Sequence, residues 1–257
     1  MVGSAGSASG SRDGSAGSAS ESRDGSAGSA SGGHQRIPSF VHQRNRLSEG
    51  QQHAWDQWWP EYGGDVAAVG RLDPAALFGR AAPVVLEIGS GMGDATAAMA
   101  AASPEVDHVA VEVYEPGLAR LLMLRQEAGL ENLRLLRGDA VDLLERATPE
   151  GLLDGIRIFF PDPWPKRRHH KRRLVQPDFV ALAASRLRPG GWLHLATDWE
   201  HYALQMRKVC DACPLLHRAP DTGPDGWLPR PDARPLTKFE QRAVREGRAI
   251  RDLLYLR

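Results

Sequence analysis

Lysine is nearly absent from the sequence. The 257-residue chain has four, Lys166, Lys171, Lys208 and Lys238, and its other basic side chains are arginine or histidine. Cysteine is scarcer still, with two, which excludes a disulfide scaffold and a four-cysteine zinc module. No apolar run approaches the ~20 residues that a membrane helix needs, so an integral membrane protein is excluded. The first residues also lack the basic-then-apolar layout of a secretory signal. A reducing, cytoplasmic setting is therefore expected. Net charge is missing too, at +0, but that excludes nothing, because binding depends on where charge sits. Core material is plentiful: 42% of residues are apolar, enough for one large domain or two small ones.

Residues 3–33 consist almost wholly of Gly, Ser and Ala, and the stretch Gly3–Ser9 recurs from Gly14 and again from Gly25. These side chains are too small to offset the entropy of ordering, so residues 1–36 are expected to form a disordered low-complexity tail. A domain over 37–257 follows, with an N-terminal extension (37–80) and a core (83–257). In the extension, Gln51–Trp59 reads as a short helix closed by Pro60 and Gly63-Gly64. In the core, Val84–Ile88, Val109–Val113, Leu133–Leu136, Ile156–Phe160 and Trp192–Thr197 read as strands. Helical patterns over Asp94–Ala102, through Leu118–Leu124 and over Phe179–Leu187 separate them. That alternation predicts a parallel, Rossmann-like α/β sheet with helices on both faces.

Ligands of such sheets bind beyond the carboxyl ends of the strands. After the first core strand, Gly89, Gly91 and Gly93 allow a sharp turn and close approach to a ligand. Asp94 occupies the place of the third glycine in a dinucleotide fingerprint, where it would repel a pyrophosphate. A ligand without phosphate, such as S-adenosylmethionine, suits the turn better. Glu112, at the end of the second strand, can accept both hydroxyls of an adenosine ribose. Asp139 can accept from an adenine amino group or cap the helix that follows. Beyond the fourth strand, three prolines stiffen Phe159–Lys166 into an arch carrying Asp162 and Trp164, a pairing that suits a nucleobase. The basic run Lys166–Arg173 adjoins the arch and can neutralise phosphates; its two histidines lack metal-ligand spacing. Asp198 closes the fifth strand. Arg234–Arg242 reads equally as base or ribose recognition and as a helix start in which Thr237 and Glu240 form a capping box. Cys210 and Cys213 read as structural thiols rather than a redox or zinc pair.

Glu87–Gly93 with Glu112 and Asp139 resembles class I S-adenosylmethionine-dependent methyltransferases. The runs Phe159–Arg173 and Thr237–Arg242 resemble the signatures of bacterial tRNA (guanine-N7)-methyltransferases. The resemblance extends from about Ile37 to Arg257. It implies a class I methyltransferase sheet, S-adenosylmethionine as cofactor, and methylation of a guanosine in the tRNA variable loop. Under it, Glu87, Gly89, Gly91, Gly93, Glu112, Asp139 and Asp162 bind the cofactor, and Asp162 is also catalytic. Lys166, Asp198, Thr237, Lys238, Phe239 and Glu240 hold the substrate. Arg168, His169, His170, Lys171, Arg172 and Arg173 touch RNA. No metal and no membrane is implied, and the protein is expected as a monomer or homodimer. Ala243 departs from the family's pattern, which has glycine there. Three rival readings are a non-catalytic RNA-binding protein, a nucleic-acid adenine methyltransferase and a small-molecule methyltransferase. The first needs no glycine turn with Glu112 and Asp139. The second uses an Asp/Asn-Pro-Pro-aromatic pattern, whereas here Pro163 precedes Trp164. The third leaves the basic run unexplained.

Overall fold

The computed structural model describes residues 46–232 and 234–257. The repetitive segment 1–36 and residues 37–45 of the extension lie outside them. Ser48 starts helix α1 (Glu49–Tyr62) with a capping box: its hydroxyl accepts from Gln51 N–H, and the Gln51 side chain accepts from Ser48 N–H. Of the two closing signals in the sequence, Pro60 and Gly63-Gly64, the second ends the helix. Pro60 falls in the last turn, and the end comes at Gly63, whose N–H bonds to Trp59 O. Strand β1 (Gly63–Asp65) and helix α2 (Pro74–Phe78) complete the extension.

The core then alternates: β2 (Val84–Ile88), α3 (Asp94–Ala102), β3 (Asp107–Glu112), α4 (Glu115–Ala128), β4 (Leu133–Arg137) and the short α5 (Ala140–Asp142), which continues into a π-helical turn. After β5 (Leu153–Phe159) come a 3-10 turn (Arg167–Arg172), α6 (Pro177–Arg186), β6 (Leu187–Thr197), α7 (Glu200–Asp211), β7 (His217–Arg218), α8 (Lys238–Arg245) and β8 (Arg251–Leu256). β6 begins earlier than the sequence suggests. Leu187 already pairs with Leu153, so Pro189-Gly190-Gly191 lies inside an irregular strand rather than before it.

The sheet order is β1-β4-β3-β2-β5-β6-β8-β7. β1 to β6 are mutually parallel, whereas β8 runs antiparallel to both β6 and β7. That antiparallel addition was not anticipated from the sequence. One apolar cluster joins α3, α4, β3 and β4, with Trp55, Trp58 and Trp59 of α1 packed on it. A larger one lies under the π-turn, α6 and α7, so helices cover both faces. From β2 the chain winds outward to β3 and β4, then returns to build β5 and β6 on the other side. A crevice therefore opens at the carboxyl ends of β2 and β5, where a doubly wound sheet binds its ligand.

The crevice floor depends on one close approach. A Cβ built on Gly117 of α4 would lie 2.0 Å from Gly91 O, so only glycine lets α4 reach the turn after β2. Gly117→Ala is expected to cost about 1–3 kcal/mol of stability through overpacking and to weaken ligand binding by displacing Gly91. Thermal melts and ligand titration of the variant check both; wild-type behaviour in both would show that α4 yields without cost.

Candidate active site

Gly89, Gly91 and Gly93 all have positive φ, at 81°, 57° and 80°, so the turn after β2 has a shape that other residues adopt only with strain. Gly93 packs on Leu121 of α4, whereas the Cβ directions of Gly89 and Gly91 face open space. That space belongs to a cavity of about 470 Å³. It gathers Glu87, Glu112, Asp139 and Asp162 from the ends of four strands, together with Phe160, Thr237 and Phe239.

Each carboxylate is held differently. Glu112 accepts from Gly91 N–H at 2.8 Å with Oε2, and from Val113 and Tyr114 N–H at 2.7 and 3.0 Å with Oε1. Burial pushes it above the usual carboxylate range against these bonds, and the charge of Asp162 adds to the rise. Asp139 caps α5 by accepting from Val141 N–H at 2.9 Å. Asp162 stands more exposed at the cavity mouth, and partial desolvation raises it too. Glu87 is only 5% exposed, and its Oε2 has no hydrogen-bond partner among the described residues. An orphaned carboxylate oxygen beside two open glycine positions fits a ligand that carries positive charge and several donors.

The arch after β5 differs from expectation. Phe160 and Trp164, the residues before Pro161 and Pro165, have φ of 51° and 43°, and they bracket Asp162. Trp164 does not line the cavity with Asp162. It is turned into the basic segment, where His169 meets its edge at 5.8 Å and the Arg172 guanidinium lies 4.9 Å from its ring. The aromatic residues lining the cavity are Phe159, Phe160 and Phe239, the last 66% exposed.

The basic run also divides. Lys166, Arg168 and Lys171 are exposed, and His169, His170 and Arg172 half-exposed. Arg173, expected at the RNA surface, is instead 1% exposed. It donates to Pro163 O at 2.8 Å and to Gln205 Oε1 at 2.6 Å, and stacks over Tyr202. From inside the fold it braces the arch against α7.

The substrate-side residues are likewise split. Thr237 caps α8 by accepting from Glu240 N–H at 3.0 Å, and it also lines the cavity. The capping box is incomplete, because the Glu240 carboxylate turns away. It is 2% exposed and ion-paired with Arg230 and Arg234 at 2.7 Å each. Burial works against the Glu240 charge, but the two arginines hold its pKa below the ordinary value. Contrary to expectation, this carboxylate is not presented to the cavity. Asp198 is paired with Arg248 at 2.9 Å, outside the cavity lining, as is Lys166. Lys238 opens α8, and its side chain lies outside the described structure. Ala243 is buried within α8 without a positive φ, so the departure from glycine is accommodated by an ordinary helix. Cys210 and Cys213 are both buried and free. Among the described residues no group of His, Cys, Asp or Glu could hold a metal ion, and no helix is long and apolar enough to cross a membrane. Gly117, Arg234 and Arg248 matter to the site but were not singled out from the sequence. Of the three, only Arg234 lies in a motif run, Arg234–Arg242.

Residues 81–253 match the protein-family model described as "Putative methyltransferase". The chain is 50% identical over 223 residues to the tRNA (guanine-N(7)-)-methyltransferase of Streptomyces avermitilis, covering 87% of this chain and 76% of that protein. It is 51% identical over 224 residues to the protein of that name from Methylococcus capsulatus, covering 87% and 95%. A third such protein, from Paracidovorax citrulli, is 50% identical over 221 residues, covering 86% and 87%.

Glu87 provides a test of the cavity's electrostatics. Burial pushes its carboxyl up to about 7, with Arg157 pulling the other way. The native state therefore holds a proton that the unfolded chain has released. This contribution to stability is complete below the unfolded pKa and is lost as pH rises through about 7. Glu87→Gln removes the dependence. In melts of the ligand-free protein between about pH 5 and pH 8, the variant is expected to gain on the wild type by on the order of 3 kcal/mol. Parallel curves for the two proteins would place Glu87 outside this account.

Proposed function

The chain belongs to the tRNA (guanine-N7)-methyltransferase family, and from that premise we propose that it transfers a methyl group from S-adenosylmethionine to N7 of a guanosine in the variable loop of tRNA. One observation carries the reading: four carboxylates from the ends of four strands converge on one cavity beside a glycine turn, and the arch leaving that cavity runs directly into an exposed basic turn. A cationic ligand suits the interior, and a polyanion suits the rim.

In this proposal Glu112 and Asp139 accept from the hydroxyls and amino group of the cofactor's adenosine, and Glu87 faces its positive end. Gly89 and Gly91 leave room for it. When bound, S-adenosylmethionine supplies an electrophilic methyl group on a sulfonium cation. Guanine N7 has an in-plane lone pair, so no proton leaves the base before attack and no general base is needed. Asp162 orients the base and keeps negative charge beside the purine as it becomes cationic. Phe160 and Phe239 offer faces on which an extruded base can stack. The larger contribution is alignment of N7 with the methyl group, a kind of positioning worth up to ~7–11 kcal/mol. Arg168, Lys171 and Arg172 hold phosphates.

Labelled S-adenosylmethionine and bulk tRNA, followed by digestion to nucleosides, should yield 7-methylguanosine. Methyladenosine, or no transfer, overturns the proposal. Asp162→Asn should slow single turnover by roughly ten- to a hundred-fold, the loss of one charge-assisted hydrogen bond. The wild-type rate should be the same in light and heavy water, because no proton is in flight; a substantial solvent isotope effect would return Asp162 to the role of base.

Replacing Arg168, Lys171 and Arg172 with Ala should leave S-adenosylhomocysteine affinity intact. It should flatten the slope of log K for tRNA against log salt by about 0.7–0.9 per lost phosphate contact. An unchanged slope would make this turn a solvated surface only.

A further inference from the structure

Arg234 is 2% exposed, yet its guanidinium bonds to both oxygens of two carboxylates. Nε and Nη2 donate to Asp252 at 2.9 and 3.0 Å, and Nη1 and Nη2 donate to Glu240 at 2.7 and 3.1 Å. Arg230 reinforces the same centre, donating to Glu240 and, at 2.6 Å, to Arg234 O. His194 Nε2 lies 2.9 Å from Asp252 Oδ1. Asp252 belongs to β8, Glu240 to the first turn of α8, and the guanidinium lies 5.8 and 5.7 Å from the rings of Phe159 and Phe160. One side chain therefore joins three parts of the molecule: the sheet, α8 and the exit of β5, where the arch begins.

Stability alone is a weak reason for this arrangement, because buried ion networks often contribute less than well-packed apolar residues would. Geometry is the stronger reason. Pro235, Leu236, Thr237 and Phe239 form one wall of the cavity, and Phe160 and Asp162 stand in it at the end of β5. The bonds of Arg234 to Asp252 and Glu240 do not involve the glycine turn, Glu87, Glu112 or Asp139.

We propose that Arg234 is a positioning residue for methyl transfer: by holding Glu240 and Asp252 in a fork, it sets Thr237 and Phe239 against Phe160 and Asp162, and so sets the guanine relative to the methyl donor. This rests on the function proposed above. It also gives Glu240 a part in that function without contact to the substrate.

The test compares the wild type with Arg234→Ala, Arg234→Lys and the milder Glu240→Gln. For each, it measures single-turnover methylation of tRNA, calorimetric affinity for S-adenosylhomocysteine, tRNA affinity and melting temperature. Arg234→Ala should lose about a hundredfold in rate, as expected for a small misplacement of reacting groups, while both affinities change little. Millimolar methylguanidinium should restore part of that rate. Arg234→Lys should recover melting temperature more than rate, because an ammonium cannot span two carboxylates as the planar fork does. Glu240→Gln, which keeps the shape, should lose rate in the same sense and secures the test if the alanine variant does not fold. Folded variants with the wild-type rate overturn the proposal, as does a rate loss matched by lost cofactor affinity. If the wild type forms no 7-methylguanosine, the functional reading fails and this one with it; if only the variants behave contrary to expectation, the fault lies with Arg234.

Discussion

Three backbone N–H groups from two separate turns close on the carboxylate of Glu112. Bonds of this charge-assisted kind are about twice as strong as neutral ones, and here they tie the turn after β2 to the end of β3. Gly91 is thereby fixed, and the close approach of Gly117 to Gly91 O then seats α4 on the same turn. Gly93, packed on Leu121, seats it a second time. The cavity floor is thus a consequence of one half-buried acid. That acid also has the chemistry to receive a ribose, so loss of its charge would disturb the floor and the recognition together.

Charge is sorted by depth across the molecule. Several carboxylates outside the cavity are matched to arginine: Asp107 to Arg80, Asp65 to Arg137, Asp154 to Arg188, Asp198 to Arg248. Within it, Glu112 is held by backbone N–H groups and Glu87 retains an unpartnered oxygen among the described residues. The basic turn on the rim is left with its charge facing water. A chain with no net charge thus presents a negative interior beside a positive edge, and the two fields select ligands of opposite sign.

Local pattern made much of this legible. Val84–Ile88 and Asp94–Ala102 are bounded by a proline, a glycine turn and a serine, and the structure begins and ends them at those residues. The cavity carboxylates were legible because each sits within, at the end of or just beyond a short apolar strand. What escaped depends on long-range contacts. Arg173 looks like its basic neighbours in sequence, and only Tyr202 and Gln205, on a helix formed later in the chain, draw it inside. Trp164 turns away from Asp162 because its backbone is left-handed, which its sequence neighbours do not announce. Arg251–Leu256 alternates too weakly to declare a strand, and its place between β6 and β7 is set by pairing partners far away in the chain. Glu240 stands where a capping box needs it, yet ion pairing with Arg234 outweighs the cap.

The two left-handed residues of the arch have a bearing on how this protein would respond to selection for robustness. Phe160 and Trp164 occupy a backbone region that costs an ordinary side chain on the order of 1–2 kcal/mol each. A search for heat-tolerant variants would therefore be drawn to glycine or asparagine at these two positions. Each such exchange would relieve strain, but it would also remove an aromatic anchor and let the segment between them wander. Thermal tolerance and turnover would then be expected to diverge at these sites, in the manner of proteins that keep strain where precision is needed.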